Sequence, residues 1–534
     1  MLSLAYVSPL PPVRSGISDY SVDLLDGLTE TQPELDLVVV RVPGQEVSEP
    51  LRERLRPIDV EALSDSEHER RCPWYQMGNN PYHAEIGAMA HERPGVLTLH
   101  DVWLHHLLVE QTLARGDTAT YVDRLTQEHG WVGGAVALPP RWSGYSQSSL
   151  FALPAHRTLL DAQRGVLVHS RWAARVLGEE GIRTPVTVVP MPMPAPPIDE
   201  AARRAGAAVR EQLGVGTDAL LLGSFGFQTP IKRTSSVVRC LAEEGMEDVH
   251  LLVAGEASPA VDLAGLARDL GVTERVHEVG FLSEDEFQAS IEACDLSVNL
   301  RYPTAGETSA SLLRTFARGR AAVVSDYAQF ADFDRAVAVR IPVASPEEEG
   351  ASLAALLRPL RSDRSKVIEM GAAARRLILE QHDPQRAVAL MLEAIAGFAD
   401  APRGPGPERC RPTTLTYASV PSALEVTGLE GWRAGERREI EIVLHNRGFA
   451  TWLPASAGPG GVAVEVQLLG DDGRDLRAGE SWLPLPRAVA PGERCSLRLR
   501  LRKPTQPSRL RIEPQISEGA SFSALDGDSW ESAI

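Results

Sequence analysis

The chain is poor in cysteine: five in 534 residues, Cys72, Cys240, Cys294, Cys410 and Cys495. Their number is odd, and no CxxC pair or His/Cys group has metal spacing. That excludes a disulfide framework and reads as reduced thiols in a cytoplasmic protein with no metal site. Long apolar runs are also missing, none approaching the roughly 18 residues that cross a bilayer. The opening "MLSLAYVSPLPPVRSG" has no basic leader and is broken by Pro9, Pro11 and Pro12, so it reads as a first strand and loop rather than a signal peptide. Peripheral membrane contact stays open. Positive charge is in deficit, with 54 basic against 72 acidic residues and a net charge of -18. With no basic run, this argues against a nucleic-acid binder. What remains is ordinary globular composition, 43% apolar and 24% charged, in a chain long enough for two to four domains.

Short apolar runs recur between helical patterns. "LSLAYVS" (2–8), "LDLVVVRV" (35–42), "GVLTLHD" (95–101), "GVLVHS" (165–170) and "VTVVPM" (186–191) form one series. After the proline-rich "MPMPAPP" a second series begins with "ALLLGSFGF" (219–227) and "VHLLVAGE" (249–256). It continues through "RVHEVGF" (275–281), "DLSVNL" (295–300), "AAVVSD" (321–326) and "AVAVRIP" (336–342). Near-continuous Val/Leu strands alternating with helices call for parallel sheets covered on both faces. The fold class expected is therefore α/β, two doubly wound Rossmann-like domains over 1–195 and 196–400, the second closed by a helix at 384–400. Ser283 with Glu286 and Ser345 with Glu348 read as capping boxes. Gly319 reads as the C-cap of a helix beginning near Glu307.

A Pro/Gly-rich linker (401–413) precedes a change to period-two patterning: "REIEIVLHN" (438–446), "VAVEVQLL" (462–469), "CSLRLRLR" (495–502) and "LRIEPQ" (510–515). These predict a smaller antiparallel β-sandwich over 414–534, loosely immunoglobulin-like in its strand pattern and its "NRGFATW". Trp432, Trp452, Trp482 and Trp530 fall within it, either filling its core, the favoured reading, or marking a sugar-stacking surface.

In an open parallel sheet, ligands meet the loops that leave the carboxyl ends of the strands. After the first strand, Gly16 permits close backbone approach and Ser18 is placed to cap the next helix. The third apolar run ends in His100-Asp101, a titratable pair that reads either as a structural hydrogen-bonder or as chemistry. In the second series, Gly226 opens a loop and Lys232 stands at a helix start, a solvated first-turn lysine or a phosphate ligand. Glu307 lies just before a helix, complementing its dipole or accepting hydrogen bonds from ligand hydroxyls, while the amides of Thr308 and Ser309 face an anion.

In their order and strand-end placement, "SPLPPVRSGISDYS", "HDVW", "VHSRW", "FGFQTPIKR" and "YPTAGETSASLLR" together resemble the retaining nucleotide-sugar glycosyltransferases of family four, which have the GT-B fold. The resemblance covers roughly residues 1–400. It implies transfer of a sugar from a nucleoside-diphosphate sugar to an acceptor hydroxyl, hexosyl in type, without metal or cofactor. It implies that Glu307 and His100 contact the donor sugar and that Lys232 holds the diphosphate. Gly16, Gly226, Thr308 and Ser309 would lie at the phosphates, with Ser18, Asp101 and Gly306 elsewhere in the cleft. Two positions depart from the family pattern. Thr315 stands where the second glutamate of E-x7-E is expected, leaving ribose recognition open. Phe227 stands where an arginine accompanies the lysine, with Arg233 as the candidate substitute. The rival readings are a sugar-nucleotide epimerase or a phosphorylase on the same architecture, or a non-catalytic glycan-binding or scaffold protein.

Overall fold

The computed structural model describes residues 2–137, 149–399, 401, 420–448, 450–457, 461–471, 473–476, 482–516, 520–525 and 527–534. Most of the linker, and Cys410 with it, lies outside the described residues. The chain divides into two compact units: Met1–Leu107 with Leu159–Gly406, and Leu108–Thr158 with Pro407–Ile534. The stretch 108–158, assigned from sequence to the first domain, thus clusters with the C-terminal residues.

The larger unit holds two parallel sheets. The first contains β1 (Ser3–Val7), β2 (Asp36–Arg41), β3 (Ile58–Asp59), β4 (Cys72–Met77), β5 (Val96–Leu99), β6 (Gly165–Val168) and β7 (Val186–Val188), in the order β3-β2-β1-β4-β5-β6-β7. The second contains β8 (Leu220–Phe225), β9 (Val249–Ala254), β10 (Val276–Gly280), β11 (Leu296–Asn299), β12 (Ala321–Ser325) and β13 (Ala338–Ile341), in the order β10-β9-β8-β11-β12-β13. In each the strand order reverses beside the first strand, which opens a crevice at the carboxyl ends. The strand runs read from sequence are there. Strand β4, "CPWYQM", was not anticipated, because a proline-bearing aromatic segment lacks the Val/Leu signature and Pro73 sits oddly in a central strand. It lies between β1 and β5, with Pro73 opposite Ala5.

The two halves of this unit share a core. The helix Pro384–Ala399 leaves the second half and packs on the first. Val388 reaches Gly27, Met391 meets the Tyr20 hydroxyl, and Phe398 fills the space a Cβ would need at Gly165. An aromatic ring buried this way is worth about 2 kcal/mol in transfer free energy alone. Both expected capping boxes are formed.

In the C-terminal unit, β14 (Ser422–Thr427), β15 (Arg437–Asn446) and β19 (Arg494–Arg502) form an antiparallel sheet. A second sheet joins β16 (Leu453–Pro454), β17 (Gly461–Gly470), β18 (Trp482–Pro484), β20 (Ser508–Ile516), β21 (Ala520–Ser521) and β22 (Trp530–Ala533). Alternate residues of both sheets meet in one cluster with Ile442, Val464 and Ile512. Trp432 and Trp452 are core residues, Trp452 lying edge-on to Phe522 at 5.1 Å, whereas Trp482 is 46% exposed. Tyr121, Val122 and Leu125 of the helix Thr118–Ala137 make a smaller cluster with Leu150 and Ala450. Among the described residues no helix is long and apolar enough to cross a membrane.

Candidate functional site

A cavity of about 560 Å³ opens between the two parallel-sheet halves, lined by Gly16, Tyr20, Gly226, Glu256, Phe281 and Arg314 among others. The helix Gly16–Thr31 starts at its wall. Ser15, not Ser18, is the N-cap: its hydroxyl accepts the Ser18 amide at 3.1 Å. Ser18 instead sits one turn in, fully buried, its own Oγ without a partner among the described residues. A Cβ added at Gly16 would meet no protein atom within 4 Å, so the space beside it belongs to the cavity and not to packing.

Deeper, at the end of β5, His100 Nε2–H donates to the Gln76 amide oxygen at 2.9 Å, which leaves Nδ1 as a lone-pair acceptor. Burial, reinforced by the neighbouring His169 and His83 rings, holds His100 well below the usual imidazole range, so it is neutral at physiological pH. Tyr20 packs edge-on against its ring at 4.6 Å and His169 lies 5.3 Å away. His169 Nε2 and His83 Nε2 are buried without partners among the described residues, and burial brings both imidazoles down to about 4. Asp101 accepts the Asn79 amide at 2.8 Å, and burial followed by repulsion from Glu307 raises its carboxyl to about 7. A carboxylate of the second half thus acts on Asp101 of the first.

Across the cleft, Gly226 adopts φ +91°, and a Cβ there would come within 2.7 Å of Lys232 Nζ. Lys232 is one of three lysines in the chain. It is buried, donating to the Phe225 carbonyl, and burial followed by the nearby Arg301 charge pushes its pKa well down. Glu307 acts the other way on the same ammonium. Arg301, not foreseen from sequence, is 7% exposed and donates through Nε to Glu307 Oε1 at 3.2 Å. Thr304 Oγ1 donates to Glu307 Oε2 at 2.7 Å, and Gln329 ties the loop by donating to both the Thr304 hydroxyl and the Glu307 carbonyl.

Glu307 does not stand at a helix mouth. The helix is Ala310–Ala317, capped by Ser309, so Glu307 lies three residues ahead of it in a loop. Gly306, at φ +84°, lets that loop touch the first half: a Cβ would sit 2.8 Å from Val102 and Trp172. The Trp103 amide donates to the Ala305 carbonyl at 2.9 Å, and Trp103 stacks on Trp172.

Two sequence readings change character here. Arg233 turns away from the cavity to pair with the buried Glu349 at 2.8 Å, so it is not available as the missing cleft arginine. Thr315 is buried, its hydroxyl closed onto the Ser311 carbonyl, and offers a ligand nothing. Ser311 and Arg314 line the cavity in its stead, Arg314 lying 2.8 Å from Glu284 and 3.7 Å from Asp23. Burial is the largest of the effects that raise Asp23 to about 6, although Arg314 works against it. Thr308 and Ser309 lie beside Glu307, with the Ser309 hydroxyl occupied in accepting the Leu312 amide.

No protein-family model matches the chain, and no curated protein matches it by sequence. Solved structures do match. Anabaena Alr3699/HepE, in complex with UDP and glucose, aligns over 74% of this chain and 100% of its own at 15% identity and a TM-score of 0.50. Sucrose-phosphate synthase (tll1590) from Thermosynechococcus elongatus aligns over 74% and 99% at 14% identity, also with a TM-score of 0.50. At such identities the likeness is one of fold: the two parallel-sheet halves have the architecture of the GT-B glycosyltransferases, followed by an all-β region.

Proposed function

We propose that this protein is a retaining glycosyltransferase of the family-four type, moving a hexose from a nucleoside-diphosphate sugar to an acceptor hydroxyl. The observation that carries the reading is the grouping of Lys232, Arg301 and Glu307 beside the cleft, with His100 and Asp101 presented from the other half. Departure of the diphosphate leaves positive charge on the sugar carbon and negative charge on the leaving group. Lys232, whose charged form is disfavoured by burial, gains a counter-charge when a diphosphate arrives, and Arg301 adds to the field. These cations carry the stabilisation, so the reaction is proposed to need no metal. Glu307, held in one orientation by Arg301 and Thr304, accepts hydrogen bonds from sugar hydroxyls. Neutral His100, with Nδ1 as acceptor, completes the sugar site. Open space at Gly16 admits the phosphates to the helix N-terminus. The cytoplasm, where nucleotide sugars are drawn on, is the proposed location.

HepE is described with UDP and glucose, so UDP-glucose is the first donor to try, beside other UDP-, GDP- and ADP-sugars. Thermal shift and donor cleavage are compared for wild type, Glu307→Ala and Lys232→Ala. One donor is expected to stabilise and be cleaved by wild type, with both variants losing cleavage by about 100-fold or more. If no nucleotide sugar shifts the melting temperature or is cleaved, the transferase reading fails.

A further inference from the structure

The C-terminal unit carries a concavity of about 1000 Å³ where the ends of β15 and β19 meet the turn after β19. Its wall bears five cations, Arg437, Arg438, Arg500, Arg502 and Lys503, against one carboxylate, Glu439. In a chain whose net charge is -18 this is a local excess of four positive charges.

The strand register makes the excess costly. Along β15 and β19, Glu441 faces Arg498 and Glu439 faces Arg500, opposite charges across the ladder. At the end of the ladder the pattern breaks, and Arg437 faces Arg502 directly. Like charges at facing positions destabilise an antiparallel pair. Internal partners do not relieve it. Arg502 donates only its Nε, to the Gly435 carbonyl at 3.0 Å, and Lys503 donates to the Trp432 carbonyl. The Arg437 side chain has no ion-pair partner among the described residues. Arg438 is neutralised by Glu436 at 3.0 Å and Arg500 lies 3.5 Å from Glu439, which leaves Arg437, Arg502 and Lys503 as the uncompensated charges.

We infer that this concavity binds an acidic polysaccharide, a chain of sugars bearing carboxylates, which the protein uses as its acceptor. Guanidinium forks match carboxylates bidentately. Leu476, 37% exposed at the edge of the concavity, offers an apolar contact to the C–H face of a sugar ring. The volume exceeds what a single small anion fills and accommodates several residues of a glycan. Holding the polymer on the same chain as the transfer site raises its effective concentration there. The acceptor role rests on the transferase reading, whereas the binding surface does not.

The test uses full-length protein with polygalacturonate as probe and neutral dextran as control. Wild type is expected to bind polygalacturonate at low salt, to lose it as salt approaches 1 M where screening acts over about 3 Å, and to ignore dextran. Arg437→Glu with Arg502→Glu is expected to weaken binding about tenfold or more, an effect of about 1.4 kcal/mol. Arg437→Gln with Arg502→Gln, which removes charge without reversing it, is expected to act in the same direction. Arg494→Glu lies on the same strand beside Glu425 and outside the concavity. It is expected to bind as wild type does. Absence of binding at low salt, an equal loss in Arg494→Glu, or binding of polyphosphate or anionic vesicles in place of polygalacturonate would each overturn the inference. Cleavage of, and stabilisation by, the UDP-, GDP- and ADP-sugars are read with the same wild-type protein. A donor response without polygalacturonate binding removes this surface alone, and polygalacturonate binding without a response to any of the nucleotide sugars removes the transferase reading alone.

Discussion

The Glu307–Arg301 pair can be taken apart by a double-mutant cycle. Arg301 is 9% and Glu307 23% exposed at the side chain. Stripping one partner from a fully buried pair costs about 3–5 kcal/mol, because the remaining charge is stranded in a medium of low polarity. Glu307 keeps some contact with water, which screens part of that penalty, and Gln at 307 retains an oxygen for the Thr304 hydroxyl bond at 2.7 Å. The expected cost of Glu307→Gln is therefore about 2 kcal/mol, seen as a fall of about 3 °C in the melting transition of a unit this large. Arg301→Met is expected to cost about 1 kcal/mol, since the carboxylate it abandons is 23% exposed and keeps contact with water. With both replaced, no stranded charge remains, and the double variant should be more stable than the sum of the two single effects predicts by about 1 kcal/mol. Urea or thermal unfolding of the four proteins measures this. Losses that simply add to within about 0.3 kcal/mol would show that the two side chains do not act as a pair, and the account of how Glu307 is oriented would fall.

Gly16→Ala places a methyl where no protein atom lies within 4 Å. The melting temperature of the free protein is expected to stay within about 1 °C, while the stabilisation given by UDP-glucose is reduced. A large loss of intrinsic stability would mean the space is needed for packing. Asp101→Asn tests the raised carboxyl. A native-state value of about 7 against the ordinary 3.8 means the folded protein holds this proton more tightly than the unfolded chain. Wild-type stability from this group is complete below pH 3.8 and is lost as pH rises through about 7. Asn, which cannot ionise, escapes the loss, so the variant should gain on wild type from pH 4 to 7, by up to about 4 kcal/mol at 1.36 kcal/mol per unit, and level off above. A stability difference that is flat across this range would refute the raised value.

The strand ends that carry His100-Asp101, Gly16, Lys232 and Glu307 were legible in the chain because buried parallel strands write themselves as apolar runs, and ligand loops follow their carboxyl ends. Strand β4 was not legible, and with it Gln76 was missed, the residue that sets the His100 tautomer. Arg301 directly follows the apolar run of β11 as an ordinary basic residue. Only the loop folding back through Thr304 and Gln329 turns it onto Glu307. The direction of Arg233 was decided by Glu349, 116 residues away in sequence. The choice of Ser15 over Ser18 as cap turned on backbone geometry: Ser15 is extended, at φ -146°, whereas Ser18 is already helical.

By itself the amino-acid sequence determined the two parallel sheets, the period-two strands of the C-terminal region and the capping boxes. Each of these follows from local periodicity or from contacts a few residues apart. Only the tertiary structure decided which side chains share a charge, which cleft groups are buried and which face water, and that residues 108–158 cluster with the C-terminal strands. Those outcomes depend on electrostatics and desolvation between residues tens to hundreds of positions apart, which the chain encodes only once it is folded.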